Sequence, residues 1–177
     1  MLYIIIKPMV LKLKNIKYIA IVSDSHDDLT SLSKITEILK DYPFDAIIHA
    51  GDICSSKIID LLATFKKQLI CVYGNCDKDK EDLSKSVSGK GIINESPFEF
   101  YINNKRFLLT HDIDLIKDDL QYNPPDVVIH GHTHSPEIIE GKTLIINPGE
   151  ASGWYTNMKT FCILDVGNMT AEIIEVY

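Results

Sequence analysis

The sequence predicts an α/β fold, a four-layer α-β-β-α sandwich of two mixed sheets packed face to face and flanked by helices. Three observations point there. The first half contains two successive strand, loop, helix units, which imply parallel strands with helices on the faces. The second half turns to hairpins. Five short polar segments, DSH (24–26), GD (51–52), GNCD (74–77), THD (110–112) and GHTH (131–134), each directly follow an apolar, strand-like run.

The elements follow in order. YIAIV (18–22) has the β-branched composition of a buried strand. After it, Leu29, Leu32, Ile35, Ile38 and Leu39 recur at helical spacing, with Asp27 or Asp28 placed to cap the helix start. DAIIHA (45–50), the loop GDICSS, a helix through Ile58, Ile59, Leu62 and Phe65, and the strand LICVY (69–73) repeat the unit. FEFYI (98–102), the turn pair Asn103-Asn104 and KRFLLT read as a hairpin, followed by a short helix near Ile113 to Tyr122. DVVIH (126–130) is the next strand. Two more hairpins turn at Gly141-Lys142, between EIIE and TLIIN, and at Gly167-Asn168, between KTFCILDV and MTAEIIEVY.

With 177 residues, 45% hydrophobic and 24% charged, the chain reads as a single domain spanning 1–177. No linker, low-complexity tract or internal repeat interrupts it. Residues 1–16 form an added strand, a packing or oligomer contact, or an extension upstream of a start at Met9. The segment MLYIIIKPMVL contains Pro8 and is about half as long as a bilayer-spanning helix, so no membrane segment is expected. The net charge is −7, the lysines are dispersed and Arg106 is the only arginine, a pattern that argues against extended nucleic-acid binding. Four cysteines (54, 71, 76, 162) form no C-x-x-C pair, and Cys71 and Cys162 lie in apolar runs, which fits a reducing cytoplasm. The apolar C-terminal runs ILDV and EIIEV read as edge strands able to pair with a second copy.

Five polar segments at strand carboxyl ends bring residues distant in sequence into one crevice, because ligands of open α/β sheets bind at that edge. Asp24 and His26 are two residues apart, so in an extended segment both side chains point to one side and chelate one cation. Asp52 follows a glycine that permits a tight exit from its strand, and its two oxygens suffice to bridge cations about 3.5–4 Å apart. Asn75 offers an amide oxygen; His111, His132 and His134 offer imidazole nitrogens. Mixed N and O donors suit Mn, Fe, Co, Ni or Zn better than Ca²⁺ or an Fe–S cluster. His49 and His130 lie inside apolar runs and alternate away from the motifs, so they are expected to be buried and hydrogen-bonded.

D-x-H, G-D, G-N, a lone His and G-H-x-H, in this order over residues 18 to about 150, resemble the calcineurin-like metallophosphoesterases. GNCD in place of GNH, with the NPGE segment (147–150), is similar to the small single-domain archaeal and bacterial phosphodiesterases among them. The resemblance implies the same four-layer architecture and a binuclear centre of two divalent transition-metal ions. Asp24, His26, Asp52 and His134 would hold one ion, and Asp52, Asn75, His111 and His132 the other, with Asp52 bridging. It implies in-line attack on phosphorus by a metal-bound hydroxide. Asp52 and Asn75 are the expected catalytic residues, and Asn75 and Cys76 the expected substrate contacts, although Cys76 also reads as a small loop residue. Loop carbonyls or a carboxylate such as Asp77 would orient the histidine ligands.

Two departures matter. Cys76 stands where many relatives carry a histidine that protonates the leaving oxygen, so esters with good leaving groups should be preferred. THD replaces the usual THGH, which keeps His111 but puts Asp112 and Ile113 where that subgroup has Gly and His. Trp154 and Tyr155, beyond NPGE, would wall the pocket or pack. The expected function is thus a metal-dependent phosphodiesterase acting on a small phosphodiester. The runner-up is a non-catalytic interaction scaffold like the retromer subunit of this fold; a nuclease is disfavoured by the absence of a basic surface.

Overall fold

The computed structural model describes residues 10–177, in which the strands form two six-stranded mixed sheets. One sheet runs β12-β11-β2-β3-β4-β5, with β2 (Tyr18–Val22), β3 (Ala46–His49), β4 (Gln68–Val72) and β5 (Gly91–Asn94) parallel, and β11 (Lys159–Asp165) antiparallel to both β2 and β12 (Thr170–Val176). The other runs β1-β6-β7-β8-β10-β9, built from β1 (Lys12–Leu13), β6 (Phe98–Ile102), β7 (Lys105–Leu109), β8 (Val127–Ile129), β9 (Glu137–Ile139) and β10 (Leu144–Asn147). Its β7, β8 and β10 are parallel.

The period-2 alternation of strand side chains creates the layers. Ile19, Ile21, Ile48 and Ile70 point inward, where they meet Phe100, Phe107, Val127 and Ile129 of the second sheet. Ala20, Val22, Ile47 and Leu69 point the other way, onto α1 (Leu29–Leu39), α2 (Ser56–Ala63) and α3 (Lys80–Val87) through Leu32, Ile35, Ile59, Leu62 and Leu83. On the outer face of the second sheet, Leu108 and Val128 pack against Ile116, in the 3₁₀ turn Ile113–Ile116 that leads into α4 (Lys117–Tyr122). The expected α-β-β-α sandwich is therefore observed. Each fully buried Ile or Phe in these layers contributes about 1.5–3 kcal/mol of transfer free energy.

Asp28 caps α1, its carboxylate accepting from the Ser31 amide at 2.9 Å. Three details differ from the sequence reading. α3 and β5 were not anticipated, because only Leu83 and Val87 of α3 are buried and its remaining residues are polar. Phe65 lies beyond the end of α2 rather than in it. ILDV (163–166) lies mostly in β11, between β12 and β2, so of the two C-terminal runs only EIIEV on β12 is an edge among the described residues. Of the expected N-terminal extension, residues 12–13 form an added strand beside β6, while residues 1–9, including Met9, lie outside the described residues.

Candidate metal centre

β2, β3, β4, β7 and β8 each end at a polar loop, and the five loops meet. They are tied by backbone hydrogen bonds: Asp24 to Gly51 O at 3.1 Å, His26 to Asp52 O at 3.0 Å and Gly131 to His111 O at 3.1 Å. Asp24 and His26 are not extended, contrary to expectation; their φ angles are 51° and 45°. Asp52 (56°), His132 (68°) and His134 (60°) share this left-handed conformation, which is unfavourable for residues with side chains and gathers at functional sites. The side chains converge because the loops turn sharply. Gly51, at φ 98°, makes one such turn, and a Cβ there would stand 2.5 Å from His111 Nδ1.

Hydrogen bonds set the imidazole tautomers. His111 Nδ1–H donates to Ala50 O at 2.8 Å and His134 Nδ1–H to the Glu150 carboxylate at 3.0 Å, so in each neutral ring Nε2 carries a lone pair. The His111 lone pair faces Asn75 Oδ1 at 3.0 Å and Asp52 Oδ1 at 3.5 Å. The His134 lone pair faces Asp24 Oδ1 at 3.7 Å. His26 Nε2 stands 3.9 Å from Asp24 Oδ1 and 3.8 Å from Asp52 Oδ2, and His132 Nδ1 lies 3.1 Å from Asn75 Oδ1. At His111 and His134, acceptors thus point at acceptors. Asp24 Oδ1 and His26 Nε2 are buried with no hydrogen-bond partner, which leaves them unsatisfied unless a proton or cation lies between them. Ligands bound at 2.0–2.2 Å to one cation stand roughly 3–3.6 Å apart, close to these separations. Asp24, His26 and His134 form one such group, and Asp24, Asp52 and His111 another, with ligand atoms within 4.8 Å of one another. The residues therefore fit a divalent cation. A third group joins His26 and Asp52 to Cys76, but burial and the neighbouring Asp52 push that thiol's pKa up, which disfavours a thiolate.

The carboxylates differ. Burial dominates at Asp24 and raises its pKa. Burial also opposes ionisation of Asp52, yet the neighbouring His111 and the hydrogen bond from the Cys76 amide (2.8 Å) hold it well below the usual range. His111 is buried too, but Asp52 and Asp24 together raise its pKa. The cluster attracts positive charge.

His49 and His130 are buried as expected, His49 Nε2 lying 2.9 Å from Ser25 Oγ and His130 Nδ1 3.2 Å from Gly131 O. Burial pushes the His49 pKa down to about 3. An unfolded histidine takes up a proton below about pH 6.5, whereas folded His49 stays neutral until about 3, so this group lowers stability as pH falls through that window by up to about 1.4 kcal/mol per pH unit. His49→Asn should be less stable than the native chain at pH 8, with the deficit narrowing towards pH 5 in urea unfolding. A deficit independent of pH would contradict the neutral assignment.

Glu150 is the residue that sequence reasoning missed. Fully buried, it holds His134, accepts from Ser152 Oγ at 3.0 Å, and accepts from the amides of Trp154 (3.1 Å), Tyr155 (2.9 Å) and Thr156 (2.6 Å) and from Thr156 Oγ1 (2.7 Å). Asp77 does not orient a histidine as expected; its carboxylate accepts from the Cys54 and Gly74 amides, each at 2.7 Å, and shapes the loops. An acid inside NPGE was the available signal, but Glu150 and Asp77 read alike in sequence. Asp112 caps the 3₁₀ turn, accepting from the Asp114 amide at 2.9 Å, and leaves His111 in the cluster. Trp154 stacks on His26 with centroids 5.8 Å apart, and Tyr155 packs on His134 at 4.4 Å, so both wall the site. Beside Asn75, His111 and His132, a cavity of about 330 Å³ is lined also by Tyr73, Glu95 and Leu115.

Residues 18–169 match the calcineurin-like phosphoesterase superfamily domain. The chain is 33% identical over 153 residues to phosphodiesterase MJ0936 of Methanocaldococcus jannaschii, covering 83% of this chain and 92% of that one. A solved structure described as a novel archaeal phosphodiesterase superimposes with a TM-score of 0.82 at 31% identity, over 90% of this chain and 99% of the other. Vps29 of Entamoeba histolytica, solved with Zn²⁺, shares the fold at a TM-score of 0.63 and 20% identity, over 89% and 98% of the two chains. Calcineurin-like phosphoesterases use divalent metal ions, and imidazole lone pairs converging on the buried carboxylates of Asp24 and Asp52, with Asp24 Oδ1 left without a partner, are what such ions require: the chain belongs to the calcineurin-like phosphoesterase superfamily.

Proposed function

We propose that the chain hydrolyses small phosphodiesters at a binuclear centre in which Asp24, His26, Asp52 and His134 hold one divalent ion and Asp52, Asn75, His111 and His132 the other. The observation that carries this reading is the set of imidazole lone pairs fixed by Ala50 O and Glu150 and aimed at Asp24 and Asp52. Ions bound there would activate water for in-line attack and offset charge on the phosphoryl oxygens. The protein keeps Asp52 ionised, holds His111 and His134 in the ligating tautomer, and leaves Asn75 exposed beside the cavity to contact substrate. Mn, Ni, Co, Fe and Zn all suit this donor set. Arg106 is committed to Glu99 (2.7 Å) and to Asn123 O (2.6 Å), which leaves no free arginine for a polynucleotide among the described residues. Among those residues no helix is long and apolar enough to cross a membrane, and four free thiols suit a reducing cytoplasm.

The test is hydrolysis of bis(p-nitrophenyl) phosphate by protein supplied with each metal in turn. Turnover with at least one is expected; tight metal binding without turnover would favour the non-catalytic interaction scaffold. With Cys76 protonated and a weak acid, no imidazolium helps the leaving group depart. General acid catalysis is worth about 10²–10⁴-fold, so dialkyl phosphodiesters should turn over at least about 10²-fold more slowly than aryl ones. Cys76→His should narrow that gap, and equal rates on both ester types would refute the assignment.

A further inference from the structure

We propose that Trp154 and Tyr155 form a stacking platform that selects phosphodiesters carrying a planar, uncharged ring of the nucleobase kind on the substituent that stays on phosphorus. The inference rests on the phosphodiesterase reading and adds its substrate class. Two large aromatic side chains stand 59% and 71% exposed beside the candidate centre, although hydrophobic burial alone would draw them inward. They are held in place nonetheless. Their backbone amides bind the buried Glu150 carboxylate, and Trp154 Nε1–H donates to Asp28 Oδ2 at 3.0 Å, on the same residue that caps α1. Rings ordered by the fold lose little further entropy when a ligand stacks on them.

Position supplies the second argument. The rings contact His26 and His134, the two histidines that face Asp24, so a phosphate bridging this cluster has its substituents within reach of them. The cavity lined by Tyr73, Leu115 and His132 borders Asn75 and His111 and is not lined by these rings, which leaves room there for the departing group. Charge supplies the third. The groups bonded to the platform, Asp28 and Glu150, are acidic, which disfavours a further phosphate and favours an uncharged ring. Rings that merely shielded His26 and His134 would matter equally for every ester, and that difference is measurable.

The experiment compares thymidine 5′-(p-nitrophenyl phosphate) with methyl p-nitrophenyl phosphate, which share a leaving group and differ only in the retained substituent. Base stacking on an aromatic side chain supports a preference of about 10-fold or more in kcat/KM for the thymidine ester, expressed mainly in KM. Trp154→Leu and Tyr155→Leu should each reduce the ratio, while Trp154→Phe and Tyr155→Phe, which keep a π-face, should preserve most of it. Trp154 is the only tryptophan, so thymidine 5′-monophosphate should quench the native fluorescence where methyl phosphate does not. Equal kcat/KM for the two esters, leucine variants that slow both alike, or absence of selective quenching each overturns the platform and leaves the phosphodiesterase reading standing. Turnover of neither ester overturns that reading, and the platform with it.

Discussion

Asp52→Asn is expected to lower kcat/KM on bis(p-nitrophenyl) phosphate by at least about 10³-fold, equivalent to about 4 kcal/mol of transition-state stabilisation. Asp52 stands between the two halves of the cluster, one oxygen 3.8 Å from His26 Nε2 and the other 3.5 Å from His111 Nε2. An amide has nearly the same shape but only one oxygen and no charge. The surrounding loops should survive, because the Cys76 amide can still donate to the retained oxygen. Unfolding temperature should therefore change little while metal affinity and turnover collapse together. A folded Asp52→Asn protein with near-native turnover would remove this carboxylate from the centre.

Glu150→Ala is expected to damage both stability and activity. Six donors converge on one buried carboxylate, and burial alone would oppose its ionisation, yet those hydrogen bonds hold its pKa below the usual range. Removal leaves these donors to find water, at a cost of about 3 kcal/mol or more. It also frees His134 to rotate and to change tautomer. Losing a partner that orients a ligating histidine typically lowers metal affinity or activity 10–100-fold, so a fall of about that size is expected even at temperatures where the variant is fully folded. Urea unfolding and a metal titration check the two effects separately. Glu150→Gln keeps one oxygen for His134 and should fall between Ala and the native residue.

Much of this was legible in the chain because the signals were redundant. YIAIV and DAIIHA each carried strand composition, a polar terminus and a following helix, and three agreeing cues fixed their place in the sheet, while LICVY carried the first two. The candidate ligands were readable because each sits on a glycine-containing or acidic loop directly after such a run. α3 was not readable, since its helical period rests on Leu83 and Val87 amid charged residues. The local backbone of Asp24 and His26 was not readable either. Spacing of two suggests an extended segment, and only tertiary hydrogen bonds to Gly51 O and Asp52 O hold both residues at positive φ. Glu150 and Asp77 illustrate the same limit: both are acids in turn-like segments, and only the packing decides that one orients His134 while the other binds amides.

The most direct test of the account is to count divalent ions bound per chain at equilibrium while following turnover of bis(p-nitrophenyl) phosphate as metal is returned to chelator-stripped protein. Two ions per chain, with turnover appearing as the second site fills and absent from the stripped protein, is the expected result. Full turnover in the stripped protein, or saturation of activity with no bound metal, would contradict it.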